Sequence, residues 1–296
     1  MGRPNTVIWL LLLAFLTLCS CGTNWAVLLR TSKGWKTYRH EADVYHFYNT
    51  LVSKGFKKEN IIVLSANDIA SSSMNRQRGK VFHDSKCSKN YQEGIDVDYT
   101  GTSVTPIVFL EVLQGKTDIQ KSLSSNGRSP NYTKGAGDRL FVFSSGHGHI
   151  GELQFQKHNQ KLSAVTLKNT LLKLIKEKKI DSAFFIVESC HSGSMFSLKE
   201  FNGHSNIYAI TASKGRENSY AAAWARRVFM FVADEFTYNT LSVLDEMSPA
   251  DFDKVTIEEL SKTVSEKVKM SHPMHFGDHT LGKKHLSYFL HPQSDS

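Results

Sequence analysis

Residues 184–196 read FFIVESCHSGSMF: aromatic and β-branched residues give way at once to a cysteine and a histidine among small polar residues. A run this short and this apolar marks a strand buried on both faces, and such strands belong to parallel sheets covered by helices. Four similar runs, at 25–29, 61–64, 140–143 and 207–211, alternate with amphipathic helical patterns. The helix after the first run carries Val44, Tyr48, Leu51 and Val52 on one side and stops at Gly55. Another opens at Ser163 and repeats Leu167, Leu171, Leu174 and Ile175, and Thr256 with Glu259 forms a capping box ahead of Leu260 and Val264. This alternation predicts an α/β architecture with a mostly parallel central sheet and helices on both faces. The polar segments 66–105 and 115–138 fit no minimal sheet, so they are expected at the C-terminal rim of the sheet or packed down its side. The last apolar run, 286–290, reads as strand-like.

A chain of 296 residues with 40% hydrophobic content supports one large core. Its formal charge of +8 is scattered among acidic residues, which describes a solvated surface and gives no reason to expect a nucleic-acid partner. Arg3, an apolar core over 7–18 and small residues over 19–22 make the three parts of a secretory signal, assigned to residues 1–21 with 22–296 as the mature domain. That core is short for a bilayer crossing, so no stable membrane span is expected once the signal is removed. LCSC at 18–21 also reads as a bacterial lipoprotein cleavage site on Cys21. The expected location is the secretory pathway, either a lysosome- or vacuole-like compartment or outside the cell. The mature domain keeps Cys87 and Cys190, too few for a disulfide framework, and a leftover thiol in such a protein is a candidate reagent. Asn131, in NYT at 131–133, is a glycosylation acceptor.

Ligands and catalysis collect outside the carboxyl ends of parallel strands. Two strands here end in reactive residues: LFVFSSGHGH delivers His147 and His149 between glycines, and FFIVESCHSG delivers Cys190. If those strands are neighbours, His147 and Cys190 face one cleft. A thiolate is the nucleophile, and a nearby imidazole both lowers the thiol pKa and protonates a leaving amine. The backbone N–H groups of Gly148 and Cys190 would then face the oxyanion. Taken singly, the cysteine also fits a small buried hydrophobe and the histidine a loop residue. A zinc site built from HGH and CH would lack the usual ligand spacing, and neither metal nor cofactor is expected. Cys190 follows His147 by 43 residues. Papain-type enzymes place the histidine roughly 130–150 residues after the cysteine, and caspase-type enzymes about 50 before it, so the caspase-type order fits.

ESCHSGSMF at 188–196, with HG at 147–148, YRHEAD at 38–43, DYTGTSVTPIVFL at 98–110 and TASKGRENSYA at 211–221, resembles the legumains, or asparaginyl endopeptidases. The resemblance extends from Asn24 to His291. It implies a caspase-like three-layer αβα sandwich and a thiol protease that hydrolyses peptide bonds after asparagine through His147, Cys190 and a thioester acyl-enzyme. The implied partners are peptides or proteins with asparagine at the cleavage site, and the residues matching the specificity pocket are Arg39, Glu188, Ser219 and Asp234. An asparagine side chain offers one acceptor and one donor group, so a pocket with a cation and carboxylates suits it. Legumains usually carry aspartate before the catalytic histidine and often asparagine before YRH; this chain has Gly146 and Thr37. Gly146 is similar instead to the catalytic subunit of the glycosylphosphatidylinositol transamidase, the alternative reading. Peptide ligation that relies on the aspartate is therefore not implied, and the usual orientation of the histidine is weakened. Legumains also continue into a helical cap, and the peptidase domain here is expected to work without one.

Overall fold

The computed structural model describes residues 22–116, 127–156, 160–203 and 205–291, and the signal assigned to 1–21 lies outside them. The elements are β1 (Asn24–Arg30), α1 (Tyr38–Ser53), β2 (Ile61–Leu64), α2 (Pro106–Leu113), β3 (Arg139–Ser145), β4 (Gly148–His149), β5 (Glu152–Gln154), β6 (Lys161–Ser163), α3 (Ala164–Lys176), β7 (Ser182–Glu188), β8 (Ile207–Thr211), β9 (Ala221–Ala225), β10 (Met230–Asp234), α4 (Glu235–Glu246), α5 (Ile257–Lys267), β11 (Met274–Gly277), α6 (His279–Gly282) and α7 (Ser287–Leu290). Six strands form the central sheet in the order β11-β8-β7-β3-β1-β2. Every pair in it is parallel except β11 with β8.

Successive strand residues point to opposite faces and so build two cores. Ala26, Leu28, Phe141, Phe143, Phe184 and Ile186 pack with α1, α4 and α5. Val27, Leu29, Leu140, Val142, Phe185 and Val187 pack with α2 and α3. The result is the expected αβα sandwich with a mostly parallel sheet. Ser163 caps α3 by accepting from Thr166 N–H, and the Thr256–Glu259 capping box is present at α5. Among the described residues, no helix is long and apolar enough to cross a membrane.

Residues 66–105 pack down the side of the sheet, burying Ile69, Val81, Phe82 and Tyr91 in the α1 core. In the second long segment, residues 117–126 lie outside the described residues. The strand-like reading of 286–290 is corrected to a helical turn, with Leu290 N–H donating to Leu286 O at 2.8 Å. Leu286, Phe289 and Leu290 are buried with the helical spacing i, i+3, i+4, a signal already present in the sequence.

For the site, the decisive feature is register. Arg30 pairs with Ser145, and Ser145 with Glu188, so β1, β3 and β7 end level with one another at one rim.

Candidate active site

Beyond that rim the chain leaves β3 through Gly146 to His147 and leaves β7 through Ser189 to Cys190, and Gly146 N–H donates to Glu188 O at 3.1 Å across the gap. The strands are neighbours, as the cleft required. His191 takes a left-handed φ of 57°, an uncommon conformation for a residue with a Cβ, so the chain turns sharply just after Cys190. Its N–H donates to Glu217 O at 2.7 Å, which fastens the turn. Cys190 is half-buried, with Sγ 3.7 Å from Ser219 O.

Glycine at 148 is a packing requirement, because a Cβ there would lie 2.4 Å from Cys190 O and 2.7 Å from Ser189 Oγ. Gln154 N–H donates to His147 O, so the β4–β5 bonds fall at 147 and 149, and the Gly148 N–H turns away from β5. Among the described residues, no acceptor takes the Cys190 N–H. Although His147 is exposed at the rim, partial desolvation lowers its pKa, with the nearby Arg39 and His149 charges adding, which favours the neutral imidazole that a base needs. The His147 ring lies edge-on to His40, with centroids 5.0 Å apart. Thr37 does not orient it: the Thr37 hydroxyl accepts from Arg30 Nη2 at 3.0 Å and donates to Gly34 O. Thr37 instead serves the buried pair of Arg30 and Glu41, which also holds Asp68.

The four residues matched to a specificity pocket come together beside Cys190. Arg39 Nε donates to Asp234 Oδ1 at 2.7 Å, and the Asp234 side chain is only 4% exposed, so these are not ordinary surface ions. Glu188 is fully buried, with Oε2 accepting from both the N–H and the hydroxyl of Thr237 at 3.1 Å. Ser219 places its carbonyl 3.7 Å from Cys190 Sγ, and its side chain lies close enough to Glu188 to oppose the rise that burial gives that group's pKa. Glu188 Oε1 and Asp234 Oδ2 are buried without hydrogen-bond partners, two acceptors available to a ligand's N–H groups. His40 and Asp43 complete the floor: His40 Nε2 is 3.5 Å from Asp234 Oδ2, and Asp43 accepts from Asp234 N–H and from Ser145 Oγ. Neither was singled out from sequence, although both lie in YRHEAD and α1 is buried almost all round, which a polar stretch so near a strand end hints at. His149 is exposed, as is Asn131 in its NYT sequence. The histidines and cysteine of HGH and CH form no metal group; among the described residues the one such group, exposed Glu258, His275 and His279, lies on α5, β11 and α6.

Residues 24–292 match the Peptidase C13 family. The chain belongs to that family. It is 34% identical over 90% of its length to hemoglobinase from Schistosoma japonicum and 31% identical over 90% to human legumain. It is 28% identical over 84% to a putative GPI-anchor transamidase from Drosophila melanogaster. The chain spans about 60% of the hemoglobinase and legumain sequences. Among solved structures, caspase-1 from Spodoptera frugiperda is similar with a TM-score of 0.49, at 11% identity over 87% of both chains.

In this C13 domain Gly146 is sterically fixed, since a Cβ there would fall 1.9 Å from Thr31 Oγ1 and 3.1 Å from Thr31 Cβ. Gly146→Asp should destabilise the domain by about 1–3 kcal/mol or more through overpacking. Adding Thr31→Gly should recover most of the loss in a urea titration. Equal stability of Gly146→Asp and wild type would show the contact to be unimportant.

Burial pushes Asp43 and Glu188 up to about 8 each, with Glu188 adding to the first and Asp234 to the second. Behind them, burial lowers His46 to about 4 and His83 to about 3. Burial likewise raises Asp234 and Asp98 and lowers His40 and His147. Above about pH 6.5 the raised carboxyl groups hold protons in the native state that the unfolded state has released, so raising the pH favours unfolding. Below it, the histidines withhold protons that an unfolded chain takes up, and the two effects oppose. Stability should vary less from about pH 5 to 6.5 than above it, and fall by roughly 3 kcal/mol or more by about pH 8. Denaturant titrations across that range check this; a rise above pH 6.5 would contradict it.

Proposed function

We propose that this chain is a cysteine endopeptidase that hydrolyses peptide bonds after asparagine. The observation that carries the reading is the Arg39–Asp234 pair, with Asp234 buried and Arg39 partly so, together with the unpartnered Glu188 Oε1 and with Ser219, whose carbonyl lies 3.7 Å from Cys190 Sγ. Arg39 donates to the asparagine side-chain carbonyl, and the Glu188 and Asp234 carboxyl oxygens accept from its amide. With that side chain seated, the scissile carbonyl rests against Cys190. His147 takes the thiol proton, the thiolate adds to the carbonyl carbon, and the oxyanion is held by the Gly148 and Cys190 N–H groups. His147 then gives the proton to the leaving amine; water, deprotonated by the same imidazole, hydrolyses the thioester. The rim geometry and membership of the C13 family support this sequence of steps. The leader-like N-terminus and exposed Asn131 support action within the secretory pathway, in a lysosome-like compartment or after secretion.

Gly146 and the fruit-fly relative favour a second reading, in which an amine rather than water resolves the same thioester. A peptide-library digest, run with and without hydroxylamine, separates the two. Cleavage confined to asparagine without added amine supports the peptidase; turnover that requires hydroxylamine supports the transamidase; no asparagine preference overturns the pocket assignment.

A further inference from the structure

Behind the pocket a continuous hydrogen-bonded chain crosses the protein to the surface. Asp43 Oδ1, which accepts Asp234 N–H at 3.2 Å, lies 2.7 Å from His83 Nε2. His83 Nδ1 lies 2.8 Å from His46 Nδ1, and His46 Nε2 lies 2.7 Å from Asp245 Oδ2. Asp43 and His46 share one face of α1 at i and i+3, His83 comes from the segment packed down the sheet's side, and Asp245 ends α4. Side-chain exposure runs from 0% at Asp43 through 1% at His83 and 10% at His46 to 43% at Asp245. Other groups facing the chain are Asp84, Lys89, Tyr91 and Tyr238 around the two imidazoles, Lys54 at Asp245, and Arg39, Asp234 and Glu188 at the pocket end.

The contact between two Nδ1 atoms holds one proton, which makes one ring the donor and the other the acceptor. If His83 donates, its Nε2 is bare and must accept, so Asp43 carries a proton; His46 then donates from Nε2 to an ionised Asp245. If His46 donates, the pattern reverses, leaving Asp43 ionised in the interior and Asp245 protonated at the surface. A third arrangement, with His46 doubly protonated, buries two ions. The first arrangement satisfies every member and keeps the single charge at the wet end, where it costs least. The pKa directions agree: Asp43 is raised, both histidines are lowered, and His46 and Thr50 hold Asp245 below its usual value against partial burial.

We propose that Asp43, His83 and His46 form a proton relay between the asparagine pocket and solvent at Asp245, and that Asp43 is a positioning residue for specificity, a neutral carboxyl group that spares the pocket a further negative charge. In one transfer the Asp43 proton passes to His83 Nε2, the His83 Nδ1 proton to His46 Nδ1, and the His46 Nε2 proton to Asp245. One proton thereby leaves the pocket and both rings stay neutral. A pocket whose mouth is covered by substrate keeps a rear path for adjusting its charge. The specificity role rests on the peptidase reading, but the proton arrangement does not.

The test combines nitrogen-15 histidine NMR with pH profiles. In the wild type, His83 should be the Nδ1–H tautomer and His46 the Nε2–H tautomer, both neutral from about pH 5.5 to 7. Asp43→Asn can donate to His83 from Nδ2 as the protonated acid does, at the loss of the acceptor for Asp234 N–H, so both tautomers should persist. It has no proton to lose, so the alkaline limb of kcat/KM for an asparaginyl peptide should move up by at least about one pH unit. His83→Phe should move that limb in the same direction. A wild-type His83 protonated on Nε2, a charged imidazole in that range, or an unmoved limb in Asp43→Asn would overturn the relay. Tautomers as stated without asparaginyl cleavage would leave the relay standing as a proton path and overturn the peptidase reading and the specificity role with it. The wild-type spectrum decides the proton arrangement even if His83→Phe does not fold.

Discussion

Cys190→Ala should reduce cleavage of an asparaginyl peptide by roughly 10⁴-fold or more, because the other described thiol, Cys87, is buried in the α1 core. The fold should be untouched, since Sγ has one weak contact, Ser219 O at 3.7 Å, and the side chain is half-buried. His147→Ala should lower kcat by about 10²- to 10⁴-fold, the usual worth of a positioned base, and the double variant should lose little beyond Cys190→Ala, as groups acting in one step are not additive. Alkylation gives an independent readout. Cys190 should react with iodoacetamide much faster than Cys87, which is 5% exposed and whose thiol pKa is pushed up by burial. Undiminished turnover in Cys190→Ala, or faster labelling of Cys87, would remove the dyad.

Arg39→Met should lower kcat/KM for asparaginyl peptides by about 10²- to 10³-fold, because it leaves Asp234 buried without its cation, a defect of about 3–5 kcal/mol, and removes the donor for the substrate carbonyl. Much of that cost should also appear as lost stability. Asp234→Asn keeps the volume and removes the charge, so it should retain the fold better while losing asparagine selectivity. In the wild type, asparagine should be preferred at neutral pH and aspartate should become acceptable as the pH falls, because a protonated carboxyl group offers the same donor and acceptor as the amide. Equal rates for the two at neutral pH would contradict the pairing of Arg39 with Asp234. The comparison needs only two peptides differing at one residue and a series of buffers.

The sheet was legible because each central strand is apolar on both faces, and β2 and β8 fall on the residues that their runs suggest. His147 and Cys190 were legible as candidates because each follows such a run. What stayed hidden depends on contacts distant in sequence. The β9–β10 hairpin has no clean alternation: Ala221 to Ala223 are half-buried and Trp224 is exposed, so nothing local marks Asp234 as an interior charge. Asp43 and His83 are 40 residues apart and meet only because 66–105 packs against α1. The Arg30–Glu41 pair was missed for a similar reason, since a charged residue at the end of an apolar run reads as the strand's wet end, yet both side chains are wholly buried.

The contact between residues 31 and 146 also constrains the order in which this site can change by descent. With Thr31 in place, a side chain at 146 meets an atom at 1.9 Å, so an aspartate arriving there first would meet a damaged protein. Glycine at 31 arriving first only opens space beside the rim. A lineage moving between the two patterns thus meets less resistance when a change that trims residue 31, just after β1, precedes the one before His147. Position 31 is consequently the place to look for intermediates: a C13 chain with glycine at both positions would be the stepping stone, already free to acquire or discard the acid.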